Sequence, residues 1–289
     1  MNYECLICQV KSLEKRIEKY KIPVDRRNQV VSQIIKEIAA IDLETAVSPE
    51  ITRNILCRLK KESTVEDPYS TEKEEGNAEM MVRYEEFRNR VLSSENPFDT
   101  ALRLAIAGNI IDFGPGHAFD VAVTIDKVLA SAFAIDHSQQ LYAKIEKAKT
   151  ILYLGDNCGE IVLDKLFLET IKKPDVWFAV RGKPVLNDAT EKEARDVGIH
   201  QVAEIISNGD DAPSTLLHRV SPQFLELYHK ADLIISKGMG NYEGLMLEND
   251  PRLFFLLMVK CPVIGLKTGT EMGQFIVKRS ARSHQQATA

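Results

Sequence analysis

The chain has 289 residues, with 37 Lys plus Arg against 42 Asp plus Glu and a formal charge of −5, enough length for a substantial core in one large or two smaller domains. It has no large basic block, which argues against a nucleic-acid partner; its longest apolar run, Leu253 to Val259, is too short to cross a bilayer, and its amino terminus lacks a signal pattern. Five cysteines are an odd, low count that suits a reducing compartment without a disulfide framework, so a soluble cytoplasmic protein is expected.

Cys5-Leu6-Ile7-Cys8 opens the chain. A lone CxxC supplies half the ligands of a structural zinc site, and two small, mostly buried residues on one helical turn explain it better than a metal or redox role. Gln9 to Tyr20 then has a helical pattern with its basic residues on the outer face. Asp25 to Ala39 and Ser48 to Glu62 repeat the three-and-four spacing of amphipathic helices, with Asp25 and Ser48 placed as caps. Ser63 to Asn77, polar and containing Asp67-Pro68-Tyr69, reads as a loop. Ala78 to Leu92 and Pro97 to Ala107 are again helical. In the glycine-rich break from Gly108 to Gly116, Asn109 and Asp112 either face a ligand or form a polar helix exit. His117 to Ala130 and His137 to Ala148 complete a helical subdomain, 1–149, that contains no clear strand.

After Thr150 the period changes. Ile151 to Leu154, Val176 to Val180, Val202 to Ser207, Leu233 to Ser236 and Val263 to Leu266 read as strands. Glu160 to Ile171, Asp188 to Val197, Pro213 to Ala231 and Tyr242 to Val259 read as crossover helices. This alternation predicts an α/β domain over 150–277, a mainly parallel, doubly wound, Rossmann-like sheet, followed by a loose tail over 278–289.

Ligands of such sheets bind at the carboxyl ends of the strands, and here five unusual turns meet on that edge. Asp156 and Asn157 follow the first strand; they could hold a hard cation, or Asp156 caps the next helix while Asn157 takes a left-handed turn. Asp188 is a third oxygen donor or, equally, a helix cap. Oxygen donors without histidine or thiolate favour magnesium or manganese over zinc. Cys158 lies in the same turn with no histidine near in sequence to activate it, so small-residue packing explains it better than nucleophilic catalysis. Lys237 precedes Gly238-Met239-Gly240, where the glycines let a ligand approach the backbone and the lysine can bind phosphate as a point charge. The pattern is neither a P-loop nor GxGxxG. Arg181, Lys183, Lys237 and Lys267 would frame the entrance with positive charge on an otherwise acidic chain. Tyr242 is the main aromatic on these turns, which disfavours a stacked nucleobase.

Asp156-Asn157-Cys158-Gly159-Glu160, Arg181-Gly182-Lys183-Pro184 with Asn187-Asp188-Ala189-Thr190, Ser207-Asn208-Gly209-Asp210-Asp211 and Lys237-Gly238-Met239-Gly240-Asn241 resemble the motifs of the metal-dependent damage-control phosphatases. That family was long catalogued as a domain of unknown function and includes a protein named an acidic-residue methyltransferase. The amino-terminal CxxC, the Asp67-Pro68-Tyr69 loop and Gly108 to Asp112 are similar to its prokaryotic branch, so the resemblance covers almost the whole chain. It implies that Asp156, Asn157 and Asp188 hold a divalent cation, manganese or magnesium, with nickel or cobalt as further candidates, beside a small phosphorylated metabolite. It further implies that Asp156, Asp188 and Lys237 carry catalysis and that Asn109, Glu160, Arg181, Ser207 and Asn241 contact substrate. Some relatives have an acid where Gly238-Met239-Gly240 stands, so that acid's role does not transfer. The expected reaction is hydrolysis of a phosphomonoester such as a sugar phosphate or a phosphopantetheine-like molecule. Two other readings stay open: a non-catalytic, metal-dependent binder of phosphorylated metabolites, and an S-adenosylmethionine-dependent carboxyl methyltransferase, although the latter normally has a glycine-rich turn where Asp156 stands.

Overall fold

The computed structural model describes residues 1–108 and 121–280. The amphipathic first part forms α1 (Tyr3–Lys11), α2 (Leu13–Lys19), α3 (Val24–Ala39) and α4 (Ser48–Glu62). The single helix expected over Gln9 to Tyr20 is broken at Ser12, whose hydroxyl donates to the Gln9 carbonyl at 2.8 Å. The apolar faces of α2, α3 and α4 bury Leu13, Ile17, Tyr20, Ile34, Ile55 and Leu59 in a core of their own, which also takes in Val185.

Next come α5 (Ser70–Val82), α6 (Tyr84–Ser93), α7 (Pro97–Ala107), α8 (Val121–Ala130), β1 (Ile135–Asp136) and α9 (Ser138–Lys147). Helix α5 starts inside the stretch expected to be a loop. Asp67 explains why: it accepts the Tyr69 amide at 3.0 Å and pairs at 2.9 Å with the fully buried Lys73 one turn on. Strand β1, two residues long, pairs in parallel with the last strand, so the first half is not wholly helical.

The alternating part comprises β2 (Thr150–Leu154), α10 (Glu160–Ile171), β3 (Asp175–Val180), α11 (Glu191–Asp196), β4 (Glu204–Ser207), α12 (Pro222–Lys230) and β5 (Leu233–Lys237). It continues through α13 (Gly238–Leu245), β6 (Leu253–Met258), α14 (Pro262–Thr268) and β7 (Phe275–Arg279). Two expectations are overturned here. Leu253–Met258 is a strand rather than the end of a helix, and Val263 to Leu266 belong to a helix rather than a strand. Pro262 accounts for the second, since it stands at the first helical position, where its missing N–H costs nothing. The sheet also runs past residue 277 into the expected tail, through Arg279.

The seven strands lie in the order β1-β7-β6-β5-β2-β3-β4, parallel except for the β6–β7 pair. Strand β2 is buried at every position. Ile151 and Tyr153 face a core shared with α7, α9 and α10, whereas Leu152 and Leu154 face a second core under α12 and α13. Burying each such side chain contributes about 1.5–3 kcal/mol, which makes β2 the axis of the domain. The chain runs outward through β3 and β4 and returns as β5 on the other side of β2. The topological switch point is therefore the crevice between the ends of β2 and β5. The apolar cores divide the molecule differently from the helical and α/β halves read from the sequence: α5 to α9 share a core with the sheet, and α1 to α4 stand apart.

Candidate active site

At the switch point two loops are zipped together. The Cys158 amide donates to the Asn187 carbonyl and the Ala189 amide to the Asp156 carbonyl, both at 2.9 Å, and Asn157 bridges to Asp188. These backbone bonds bring Asp156, Asn157 and Asp188 onto one wall. Gly159, at φ 81°, opens α10, and its amide is capped by Asn77 Oδ1 of α5 at 2.5 Å. Gly238, at φ 78°, comes so close that a Cβ there would lie 1.8 Å from Asp156 Oδ2. The room expected for a ligand against this backbone is thus filled by the carboxylate of Asp156 itself.

Asp156 and Asp188 are 7% and 3% exposed, and one guanidinium serves both: Arg181 Nε donates to Asp188 Oδ2 at 2.6 Å and Nη2 to Asp156 Oδ1 at 3.3 Å. Burial pushes the Asp156 carboxyl up to about 8, Asp188 and Glu160 add to the rise, and Arg181 and Lys260 oppose it. Burial also raises Asp188, against the pull of Arg181. Two buried carboxylates facing one guanidinium leave a surplus of negative charge, and the Asn157 side chain lies beside them, its amide nitrogen donating to Asp156 Oδ2 at 3.2 Å; a cation there would turn the amide over to its oxygen. This is an all-oxygen donor set suited to a hard divalent cation. Among the described residues no group of three His, Cys, Asp or Glu side chains forms a ligand cluster, so the amide is needed to complete the set.

The other expected site residues are placed differently. Lys237 is fully buried, its ammonium turned inward to Glu160 and Asp164, each at 2.5 Å, and to the Ala105 carbonyl at 2.8 Å. Among the described residues it belongs to a buried ion-pair network rather than to the entrance. Burial alone would lower the Lys237 ammonium, but Asp164 and Glu160 raise it. Glu160 is fully buried in the same network. Asn241 is also fully buried: its amide nitrogen donates to the Gly155 and Lys237 carbonyls, and its oxygen accepts from Arg181 Nη1 at 3.0 Å and Thr215 Oγ1 at 2.9 Å. It positions Arg181, which in turn positions the two carboxylates. Ser207 accepts the Gly209 amide at 3.1 Å within its own turn. The acids of that turn face α4, where Arg53 Nε meets Asp211 Oδ1 at 2.5 Å and Asp210 Oδ1 at 3.4 Å. Lys183 and Lys267 are exposed, Lys267 on α14, and Tyr242 packs edge-on to Phe255 in the core. Asn109 lies outside the described residues.

A cavity of about 470 Å³ opens over Asp156, Asn157 and Asp188, with its far wall formed by α1, α2 and α4. Cys5 and Cys8 line it together with Cys261; all are free thiols. No aromatic side chain lines it among the described residues. The cations that do are Arg16 and Lys260, and both escaped the sequence reading. Lys260 falls just beyond the helix expected over Tyr242 to Val259; it is exposed on the turn that leaves β6, near enough to Asp156 to favour its ionised form. Arg16 lines the cavity instead of lying on the outer helix face that its basic neighbours suggest. A larger cavity, about 810 Å³, lies at the amino ends of β3 and β4, away from the switch point.

A family model described as Damage-control phosphatase ARMT1-like domain matches residues 1–276. A damage-control phosphatase of Pyrococcus horikoshii is 32% identical over 284 residues, covering 97% of this chain and 98% of its own. One from Archaeoglobus fulgidus is 28% identical over 260 residues, covering 86% and 90%. The crystal structure of a duf89 family protein from Pyrococcus horikoshii superimposes with a TM-score of 0.88 at 31% identity, over 97% of this chain and 99% of that one.

Proposed function

The chain belongs to the damage-control phosphatase ARMT1-like family, and from that premise we propose that it is a divalent-metal-dependent phosphatase of small phosphorylated metabolites. The observation that carries the proposal is the Asp156–Asp188 pair, buried and sharing one guanidinium at the switch point beneath the cavity. Asp156, Asn157 and Asp188 would hold the cation, manganese or magnesium, which supplies charge neutralisation at a phosphoryl oxygen and acidifies a bound water.

The chain's own groups would do the rest. Asp188 Oδ1, the oxygen that Arg181 does not take, can accept a hydrogen bond from the attacking water and orient it. Lys260 takes the role expected of Lys237, offsetting charge on the phosphoryl group where it accumulates during transfer. The absence of aromatic lining among the described residues favours a sugar phosphate or related polar ester over a nucleotide. Phosphate release from a panel of sugar phosphates, with and without added manganese or magnesium, tests this. Metal-stimulated hydrolysis of one or more is expected, and tight binding of an ester without hydrolysis under any divalent metal would replace the phosphatase with a binder.

A further inference from the structure

Arg16 stands on α2 on the cavity wall opposite Asp156 and Asp188. It is half-buried, and among the described residues no carboxylate lies within ion-pair distance of it. Its one hydrogen-bond partner is neutral: Nη1 donates to Gln9 Oε1 at 2.9 Å. Gln9 is itself buried and pinned to α4, its amide nitrogen donating to Thr52 Oγ1 at 2.7 Å and Ser48 Oγ at 3.4 Å. A guanidinium oriented by an amide keeps its whole charge, whereas one paired with a carboxylate has spent it. Burial pulls its pKa down, as expected of a cation without a counter-ion. Besides Asp156 and Asp188, two acids share the cavity lining, the exposed Glu4 and the half-buried Glu243, and neither pairs with Arg16.

The position of Arg16 decides which anion it would meet. Lys260 is near enough to Asp156 to bear on its charge, while the groups that interact with Arg16 are Tyr69, Tyr20 and Cys8 on the helical side of the cavity. Lys260 is thus on the side of the reacting phosphoryl group and Arg16 on the side of the remainder of the molecule. Building on the phosphatase reading, we propose that Arg16, held by Gln9, is a specificity-determining residue that binds a second anionic group, a carboxylate or another phosphate, at the end of the substrate away from the scissile phosphoryl group. The substrate class is then a doubly anionic phosphate ester rather than a neutral sugar monophosphate.

The test compares glycerol 3-phosphate with 3-phosphoglycerate, which adds one carboxylate, on the parent, Arg16→Gln and Arg16→Lys, all with manganese. The parent should favour 3-phosphoglycerate in kcat/KM, chiefly through KM. Charge-assisted hydrogen bonds of about 1.5–3 kcal/mol imply that Arg16→Gln lowers that preference roughly ten- to a hundredfold, with partial recovery in Arg16→Lys. Equal losses on both esters would assign Arg16 to the scissile phosphoryl group and overturn the proposal; an unchanged preference in a folded Arg16→Gln would overturn it too. Calorimetric binding of the same two compounds separates this inference from the phosphatase reading. If the parent hydrolyses neither but binds 3-phosphoglycerate more tightly in an Arg16-dependent way, the phosphatase reading falls and the second-anion site stands.

Discussion

At the ends of β2 and β5, charged side chains that look alike in sequence have opposite fates. Lys237 is the last residue of β5 and lies two residues after Ile235, on the side facing α10, where Glu160 and Asp164 meet it one helical turn apart. Lys237→Ala would remove the buried cation that Glu160 and Asp164 share, at a cost of about 3–5 kcal/mol, so chemical denaturation should show a protein close to unfolding rather than a folded enzyme with lowered kcat. Asp156 behaves otherwise. Its carboxyl crowds Asp188 in a buried site, so removing its charge relieves repulsion in the metal-free protein. Asp156→Asn is expected to raise the Tm measured in a chelator while abolishing the Tm increase caused by manganese and the calorimetric heat of metal binding; an unaltered manganese affinity would exclude Asp156 as a ligand. Glu243 gives the pH dependence. Burial pushes its carboxyl up to about 7, so between its ordinary value and about pH 7 the folded chain holds a proton that the unfolded chain has lost. Stability from this group is therefore fully present at low pH and declines as pH rises through that window. Glu243→Gln should remove that decline, a gain on the order of 1 kcal/mol at pH 8 and little at pH 4, read as Tm against pH.

Among the elements, Gly238 has the most exacting position. A side chain there would collide with Asp156 Oδ2 and would also sit at φ 78°. Gly238→Ala is expected to cost about 1–2 kcal/mol in backbone strain and to lose manganese binding by displacing the carboxylate; a folded variant with unchanged manganese affinity would show that the carboxylate can yield. The sequence makes the strand–turn–helix at β2 readable because five buried residues end sharply at Gly155 and Asp156. It makes β6 hard to read because Leu253–Met258 is apolar without alternation, being covered on both faces. The turn Asn249-Asp250-Pro251 was the available signal for ending the preceding helix before that run. Reading β6 as helix hides Lys260, which then follows a helix instead of standing at a strand exit. The set Asp156, Asn157 and Asp188 was legible because each follows a strand, and backbone bonds between their turns join them. Arg181 and Asn241 were legible as site residues but not as supports, because which side chain reaches a ligand depends on contacts between turns far apart in sequence. Arg16 was not legible at all: on a short amphipathic helix nothing local separates a cation facing solvent from one facing a cavity.

Across the molecule, the helical layer α1 to α4 reaches the sheet edge mainly through side chains that grip loops. Arg53 holds Asp210 and Asp211, Lys60 donates to the Pro184 carbonyl at 2.5 Å, and Val185 enters the core of the layer. Arg53→Ala should loosen this grip without unfolding the sheet, so limited proteolysis is expected to cut within residues 1–62 faster than in the parent while the remaining fragment persists; simultaneous digestion of both parts would mean that they unfold as one. The cavity is bounded on one side by a wall with an apolar core of its own, joined to the other wall through Val185 on the loop that carries Asp188. Mutations on the cavity face of α1, α2 or α4 that leave the Val185 contact in place therefore need not disturb the carboxylates. Over evolutionary time such an arrangement lets selection try new substrates on an unchanged reaction, with the ancestral chemistry inherited intact while the choice of molecule drifts from lineage to lineage.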